Sequence, residues 1–127
     1  MAVIFPDIEL TLVSYFNTAL AGQGVRVGTI HSQPDETTPL KELVITAAYN
    51  EEVNYVTKRA TVTLEVYASD YQTASSLGLL VESLVRGAVG EEIKRVSVRL
   101  GPVRNIEETE YEKRSLDVEL VVKGSDV

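Results

Sequence analysis

The hydrophobic period changes within residues 59–89, and this change constrains the fold more than any other feature of the chain. Over residues 59–68, apolar side chains alternate with mostly polar ones, as in a strand with one buried face. After residue 70, apolar side chains recur three and four positions apart, along one side of a helix. The residues predicted to be buried are Ala60, Val62, Leu64, Val66 and Ala68 on the strand, and Tyr71, Ala74, Leu77, Val81, Leu84, Val85 and Ala88 on the helix.

Asp70 stands where the period changes. Its carboxylate can accept hydrogen bonds from the free backbone N–H groups of a first helical turn, which predicts that the helix begins directly after it. A half-polar strand that leads into an amphipathic helix indicates a sheet with helices on one face only. The other face of the sheet is then free for solvent or a partner.

The composition indicates a single globular domain, residues 1–127. A chain of 127 residues can bury a core of its own, and a hydrophobic fraction of 44% with a mean hydropathy of +0.02 is typical of soluble proteins. The chain has no cysteine, which excludes disulfides and thiolate metal sites. We find neither a signal-peptide pattern nor a segment of transmembrane length, and we therefore expect cytosolic synthesis and no membrane partner.

The charge of the chain is acidic. Its formal net charge is −7, from 19 acidic and 12 basic side chains. This balance argues against a nucleic-acid binder, which needs clustered Lys and Arg to neutralise phosphates. Solubility alone accounts for such a charge, although an acidic surface would also repel DNA.

The predicted element order is α-β-β-β-α-β-β. The first helix follows Phe5-Pro6-Asp7 and ends at Gly22-Gln23-Gly24. Strands are predicted at residues 25–30, 40–49, 59–68, 93–100 and about 115–122, and loops at 31–39 and 105–112. Residues 50–58 are long for a tight hairpin, which suggests an extended arm, and residues 124–127 are expected to form a frayed tail.

These elements predict an α+β fold with one mostly antiparallel or mixed sheet of about five strands and two helices packed on one face. In the fourth predicted strand, residues 93–100, Val96, Val98 and Leu100 are predicted to share the buried face, and Gly101-Pro102 to bend the strand or mark an edge. The opposite face is expected to carry Thr61, Thr63, Glu65, Arg95, Ser97, Arg99, Asp117 and Glu119, where opposite charges could pair across strands. Such a face is either solvated, or a docking surface or the wall of a lumen.

The sequence offers no credible active site. The single histidine, His31, lies in a loop beside Ser32, Asp35 and Glu36, whereas a catalytic triad converges from separate elements. Acidic pairs such as Glu51-Glu52 are common in an acidic chain and discriminate nothing. No phosphate-binding, dinucleotide-binding or calcium-binding motif is present, so no enzyme activity, cofactor or metal is predicted.

Three segments together resemble a known family. They are Phe5-Pro6-Asp7 with its helix, the run from Val62 to Asp70 with Ala74, Leu77 and Val81, and the closing run from Arg114 to Gly124. In this order and spacing they resemble the tail terminator (tail completion) proteins of long non-contractile-tailed phages. The resemblance spans nearly the whole chain and rests on aliphatic patterns with a few punctuating residues.

The resemblance implies a structural virion protein of the tail and neck. Members of the family form a hexameric ring that caps the head-proximal end of the tail tube, stops its polymerisation and provides the docking surface for the head connector. The implied partners are further copies of the chain, the tail tube protein and the head–tail connector protein, while DNA passes through the lumen without specific binding. Two alternatives remain open, a head–tail connector or stopper of the neck and a small α+β enzyme or ligand-binding domain.

A closed ring needs two different patches of each subunit to meet. We assign these contacts to the 50–58 connection, with its tyrosine and mixed charge, and to the sheet edge near residues 101–105. The predicted subunit or tube interface consists of Glu51, Glu52, Tyr55, Lys58, Arg59, Thr61, Thr63, Arg99 and Arg104.

Overall fold

Two helices cover one face of a five-stranded sheet in the computed structural model, which describes residues 2–31, 40–105 and 111–126. The elements are β1 (Val3–Ile4), α1 (Ile8–Ala19), β2 (Arg26–Gly28), β3 (Lys41–Asn54), β4 (Thr57–Ala68), α2 (Tyr71–Arg86), β5 (Ile93–Asn105), β6 (Glu112–Lys123) and β7 (Ser125–Asp126). The sheet has the strand order β2-β3-β4-β6-β5. The predicted α+β class, with two helices on one face of a mixed five-stranded sheet, is confirmed.

Strand direction in the sheet is antiparallel at every step but one. Only β2 runs parallel to its neighbour β3, and β6 is inserted between β4 and β5. Because α2 connects β4 to β5, the helix crosses over β6. This strand is the last of the five along the chain, yet it lies between β4 and β5 in the sheet. The sequence pattern does not encode this order, since every one of these strands has a comparable apolar face.

Capping residues set the helix boundaries. Asp7 and Asp70 have extended backbones, and each carboxylate accepts a hydrogen bond from an N–H of the first turn, at 3.2 Å from Leu10 and 2.8 Å from Thr73. The predicted role of Asp70 is therefore confirmed. After α1 the chain turns through Gly22 and Gly24, whose φ angles of 81° and 71° disfavour any residue with a side chain.

The core lies between the helices and the sheet. Alternate residues of β4 and β6 supply its floor, and the apolar sides of α1 and α2 supply its roof. Its members include Leu12, Phe16, Leu43, Ile45, Val62, Leu64, Val66, Val81, Val85, Leu116, Val118 and Leu120, all fully buried. The period change at residue 70 thus separates the floor of the core from its roof, as the sequence pattern predicts.

The predicted arm at residues 50–58 is wrong. Strand β3 continues to Asn54, β4 begins at Thr57, and the turn between them is two residues long. The side chain of Asn54 accepts the N–H of Val56 at 3.0 Å and stabilises this turn. Two register shifts in the hairpin hide the alternation on which strand prediction depends, and β6 still pairs with Thr57, so the hairpin does not leave the sheet.

The fourth predicted strand, at residues 93–100, corresponds to β5 and is longer than expected. It runs through Gly101-Pro102 to Asn105 on the sheet edge, as proline in a strand requires. A register shift between Val98 and Leu100 places Leu100 opposite Asp117, so Leu100 lies on the face opposite to Val98. The expectation that both share the buried face is therefore wrong, because one extra residue inverts the side-chain order.

Two further expectations differ from the structure. Residues 125–126 form β7, which pairs antiparallel with β1, so this part of the expected frayed tail is ordered by the N-terminal segment. Tyr71 is 57% exposed and lies outside the core, although it follows the apolar spacing of α2. The predicted loops at 31–39 and 105–112 fall largely on residues 32–39 and 106–110, which lie outside the described residues.

Candidate interaction surface

The sheet face opposite the helices, here called the open face, is polar. All eight side chains predicted for it lie there: Thr61, Thr63 and Glu65 on β4, Arg95, Ser97 and Arg99 on β5, and Asp117 and Glu119 on β6. The registers place Thr61 opposite Glu119, and Thr63 opposite Asp117. Because both described helices pack on the other face, these residues are positioned by the sheet alone.

Four charged side chains form a row across the open face. The Arg59 guanidinium lies between two carboxylates, 2.5 Å from Glu51 Oε1 and 3.8 Å from Glu119 Oε1. Arg99 contacts the same Glu119 oxygen at 2.9 Å from the β5 side. This charge row, Glu51-Arg59-Glu119-Arg99, links β3, β4, β6 and β5. Opposite charges on the open face therefore pair across strands, as the sequence predicts.

A second polar cluster lies where β2 meets the open face. The Glu42 carboxylate is fully buried, contacts Arg26 Nη1 at 2.6 Å and is within hydrogen-bonding distance of His31 Nδ1. The His31 ring stacks on Tyr67, with 3.9 Å between ring centroids and 19° between planes. The buried Glu42 carboxylate needs these two partners, Arg26 and His31. Their contacts hold the segment that carries His31 against the sheet.

Glu65 and Lys113 continue this cluster along the sheet. Lys113 Nζ lies 2.8 Å from Glu65 Oε2, and the Tyr67 hydroxyl donates to the same oxygen at 3.1 Å. Burial raises the pKa of Tyr67, and the negative charge of Glu65 raises it further. The phenol therefore stays neutral at physiological pH and acts as a hydrogen-bond donor.

The structure brings five of the nine predicted interface residues together on the open face. They are Glu51, Arg59, Thr61, Thr63 and Arg99. Tyr55 lies in the hairpin turn, with 66% of its surface exposed. Glu52 and Lys58 are opposite each other and point toward the helix side, where Lys58 Nζ lies 4.5 Å from the centroid of the Phe5 ring.

Arg104, the ninth residue, belongs to a separate cluster at the start of α2, around Tyr71. Its guanidinium makes two hydrogen bonds to Glu112, at 3.1 and 2.9 Å, and lies 5.0 Å from the Tyr71 ring centroid. The hydrogen bond from Arg104 holds the pKa of Glu112 below its usual range. Arg114 covers the same ring at 4.8 Å, which explains why Tyr71 stays outside the core.

Concave sites offer little for catalysis in the described part of the chain. A groove of about 600 Å³ between the end of α1 and the start of α2 is lined by Gln23, Lys41, Asp70, Gln72, Thr73 and Ser76, among others. Its charged groups are already engaged, since Asp70 caps α2 and Lys41 Nζ donates to the Gln23 carbonyl at 3.0 Å. Among the described residues, no three His, Asp or Glu side chains are grouped to hold a metal ion, and no helix is long and apolar enough to span a membrane.

Sequence reasoning missed the cluster around Glu42. This residue follows a proline-containing loop, and the strand prediction there rests on weak alternation. Only the register Glu42 opposite Tyr67, together with the parallel strand β2, brings Arg26 and His31 to it. One signal for the cluster is present in the sequence, since Glu42 is an acidic residue directly before a run of four apolar or β-branched residues. Its partners, however, are 11 and 16 positions away, so the sequence does not identify them.

The fold and the surface define a class, an α+β domain whose sheet is covered on one face and polar on the other. Comparison with protein-family models finds no family that matches the chain, and comparison with curated proteins finds no match either. The function therefore rests on the residues themselves.

Proposed function

We propose that this chain is a tail terminator protein of a long non-contractile-tailed phage. In this proposal it assembles as a hexameric ring in the virion, at the head-proximal end of the tail tube. The ring stops tube polymerisation and provides the surface on which the head connector docks. The proposal starts from the sequence resemblance and needs a subunit with two different patches that are complementary to each other.

The observation that supports the proposal most is that, among the described residues, both edges of the sheet have strand segments with no partner on their outer side. On one side β5 has no further strand partner among the described residues. On the other side, β2 covers only Glu42–Val44 of β3, so the outer edge of the rest of β3, on the side away from β4, has no strand neighbour in the described chain. Free edges are the commonest route by which a sheet recruits another chain.

The open face suits the wall of a lumen. Its charges are of both signs, and the charge row pairs four of them with each other, so carboxylates lie among the cations that would face DNA phosphates. Hydroxyl groups of Thr61 and Thr63 lie between the charges. A duplex could then pass without specific binding, which is what a tail channel requires.

The test combines mass and activity. Native mass spectrometry and negative-stain microscopy of the purified chain, alone and with tail tube protein, should give a closed ring of six subunits that sits at one end of each tube. Added during tube assembly, the chain should shorten the tubes. A chain that stays monomeric with and without tubes, and leaves tube length unchanged, would contradict the proposal, and binding to portal complexes instead of tubes would favour the connector alternative.

A further inference from the structure

We infer that β5 of one subunit pairs antiparallel with the C-terminal part of β3 of the next subunit, and that Arg95 meets Glu51 across this boundary. The inference rests on the proposed ring and names the two surfaces that close it. Its occupant is a second copy of the chain, and four features of the described residues carry it.

The strand directions agree with a closed ring. Successive antiparallel steps from β3 through β4 and β6 to β5 leave β3 and β5 pointing in opposite directions. Rotation about an axis along the strands preserves strand direction, so β5 of one copy and β3 of its neighbour meet antiparallel. Both copies then present the open face to the same side, as one continuous sheet requires.

The register brings the two charges to the same height. Glu51 is opposite Arg59, Arg59 is opposite Val121, and Val121 is opposite Arg95. These four positions form one row across the open face, with the carboxylate at one edge of the sheet and the guanidinium at the other. An unstaggered neighbour therefore places Arg95 of one copy opposite Glu51 of the next.

Charge complementarity distinguishes the two edges. Strand β5 contains four cations and no acid: Lys94, Arg95, Arg99 and Arg104. The β3 edge and the adjoining start of α1 carry Asp7, Glu9, Glu51 and Glu52. Arg95 is exposed and has no ion pair among the described residues, so its charge is available to a neighbour.

The edges are shaped to limit this pairing to a short stretch. Glu9 Oε2 accepts the outward-pointing N–H of Ala47 at 2.8 Å, which blocks the middle of the β3 edge. Register shifts interrupt β5 on both sides of Arg95–Val98. Within the described residues, the C-terminal end of β3 and the N-terminal end of β5 lie beyond this block, and these are the ends that carry Glu51 and Arg95.

The resulting ring has a plausible size. Six copies of the four long strands make about 24 strands, and a spacing of about 4.8 Å gives a barrel roughly 37 Å across, or more if the strands tilt. The inward side chains take up about 5 Å on each wall, half the spacing of packed sheets, and the remaining width of roughly 27 Å is open to a DNA duplex. The geometry thus links the short edge contact to the proposed channel.

Cysteine cross-linking tests the inference directly, because the chain has no cysteine of its own. We would combine Glu51→Cys with Arg95→Cys. Within one subunit these positions are three strand spacings apart, about 14 Å, which is beyond the reach of a disulfide. Oxidation should therefore join only neighbouring subunits and give a ladder that stops at the closed ring and collapses under reducing agent.

The matched control is Glu51→Cys with Arg86→Cys, which moves one thiol from β5 to the exposed end of α2. It should give no ladder. Charge reversal provides the second readout: Arg95→Glu and Glu51→Arg should each weaken the ring about tenfold or more, and the double reversal should restore it. Thermal unfolding of each variant checks that the subunit remains folded.

The outcomes separate the two proposals. Rings that form normally, give no more cross-linking than the control and ignore charge reversal would overturn the edge pairing and leave the tail terminator proposal intact. A wild-type chain that forms no ring, alone or on tube ends, would overturn the proposed function and the inference that rests on it.

Discussion

The two faces of the five-stranded sheet differ in what their side chains contact. On the helix-covered face, Leu64 and Val118 are fully buried against helix residues such as Phe16. On the open face, side chains such as Arg59 and Glu119 contact partners on neighbouring strands and remain partly exposed. The covered face stabilises the fold of the subunit, and the open face contributes less to folding.

The magnitudes differ accordingly. Full burial of a large aliphatic or aromatic side chain stabilises a fold by about 1.5–3 kcal/mol. A cross-strand polar pair contributes about 0.2–1 kcal/mol. Substitutions on the open face should therefore change the stability of the fold less than substitutions on the covered face, and the following predictions test that division.

The largest effect is expected at Phe16, which is fully buried on α1. Phe16→Ala should lower the free energy of unfolding by about 3–5 kcal/mol, because it removes apolar contacts and leaves a cavity. Leu10→Ala on the same helix is the matched control, since Leu10 is 63% exposed, and it should cost less than about 0.5 kcal/mol. Urea unfolding followed by circular dichroism measures both losses. Equal losses would contradict the assignment of Phe16 to the core and of Leu10 to the surface.

A smaller effect is expected at Glu42, a carboxylate that is fully buried although it lies on the open face. Glu42→Gln should cost about 1–3 kcal/mol, because the amide leaves Arg26 and His31 without their buried charged acceptor. Glu51→Gln is the control on the same strand, with 60% of its side chain exposed, and should have little effect on unfolding. If the two variants unfold at the same urea concentration, the buried cluster does not stabilise the fold.

The covered face could be predicted from the sequence almost completely. Alternation in β4 and β6, the helical spacing in α2 and the carboxylate of Asp70 each follow from local geometry and short-range hydrogen bonding. The exceptions are one long-range contact and one local bulge. Tyr71 follows the helical spacing but is held outside by two guanidinium groups, and an extra residue before Leu100 turns that side chain over.

The open face could be predicted in composition but not in arrangement. Its residues follow from alternation, whereas the pairing of Arg59 with Glu119, or of Glu42 with Arg26, depends on strand order and register. The insertion of β6 between β4 and β5 is a long-range choice that no local pattern records. The row that joins Glu51 to Arg95 could be identified only after that choice was known.

Tyr49 tests the border of the covered face through pH. Burial, then the negative charges of Glu92 and Asp7, raise the pKa of Tyr49 to about 12, and its hydroxyl donates to the Pro6 carbonyl at 2.7 Å. The folded chain therefore holds this proton more tightly than the unfolded chain, and the resulting stability is complete below about pH 10 and lost as pH rises through 12.

Tyr49→Phe should accordingly cost about 0.5–1.5 kcal/mol at neutral pH, through the lost hydrogen bond. It should also flatten the decline of stability between pH 10 and 12, measured by urea unfolding across that range. Tyr55→Phe, in the exposed hairpin turn, is the control and should leave the decline as in the wild type. An equal decline in the Tyr49 variant would mean that burial does not hold this proton.

The smallest effect on folding is expected at Glu119, in the middle of the charge row. Glu119→Gln removes the carboxylate that Arg59 and Arg99 share, yet both guanidinium groups are about half exposed and can be solvated again. The cost should be about 0.2–1 kcal/mol and should shrink as salt rises. Glu82→Gln on α2 is the matched control, because that carboxylate is equally buried, at 24% exposure against 25%, and has one arginine partner. Both variants should unfold at nearly the same urea concentration. Because Glu119 lies on β6, inside the sheet and away from the two edges proposed to pair, both variants should also show wild-type subunit association in sedimentation experiments, and a loss of association confined to Glu119→Gln would contradict edge pairing as the contact.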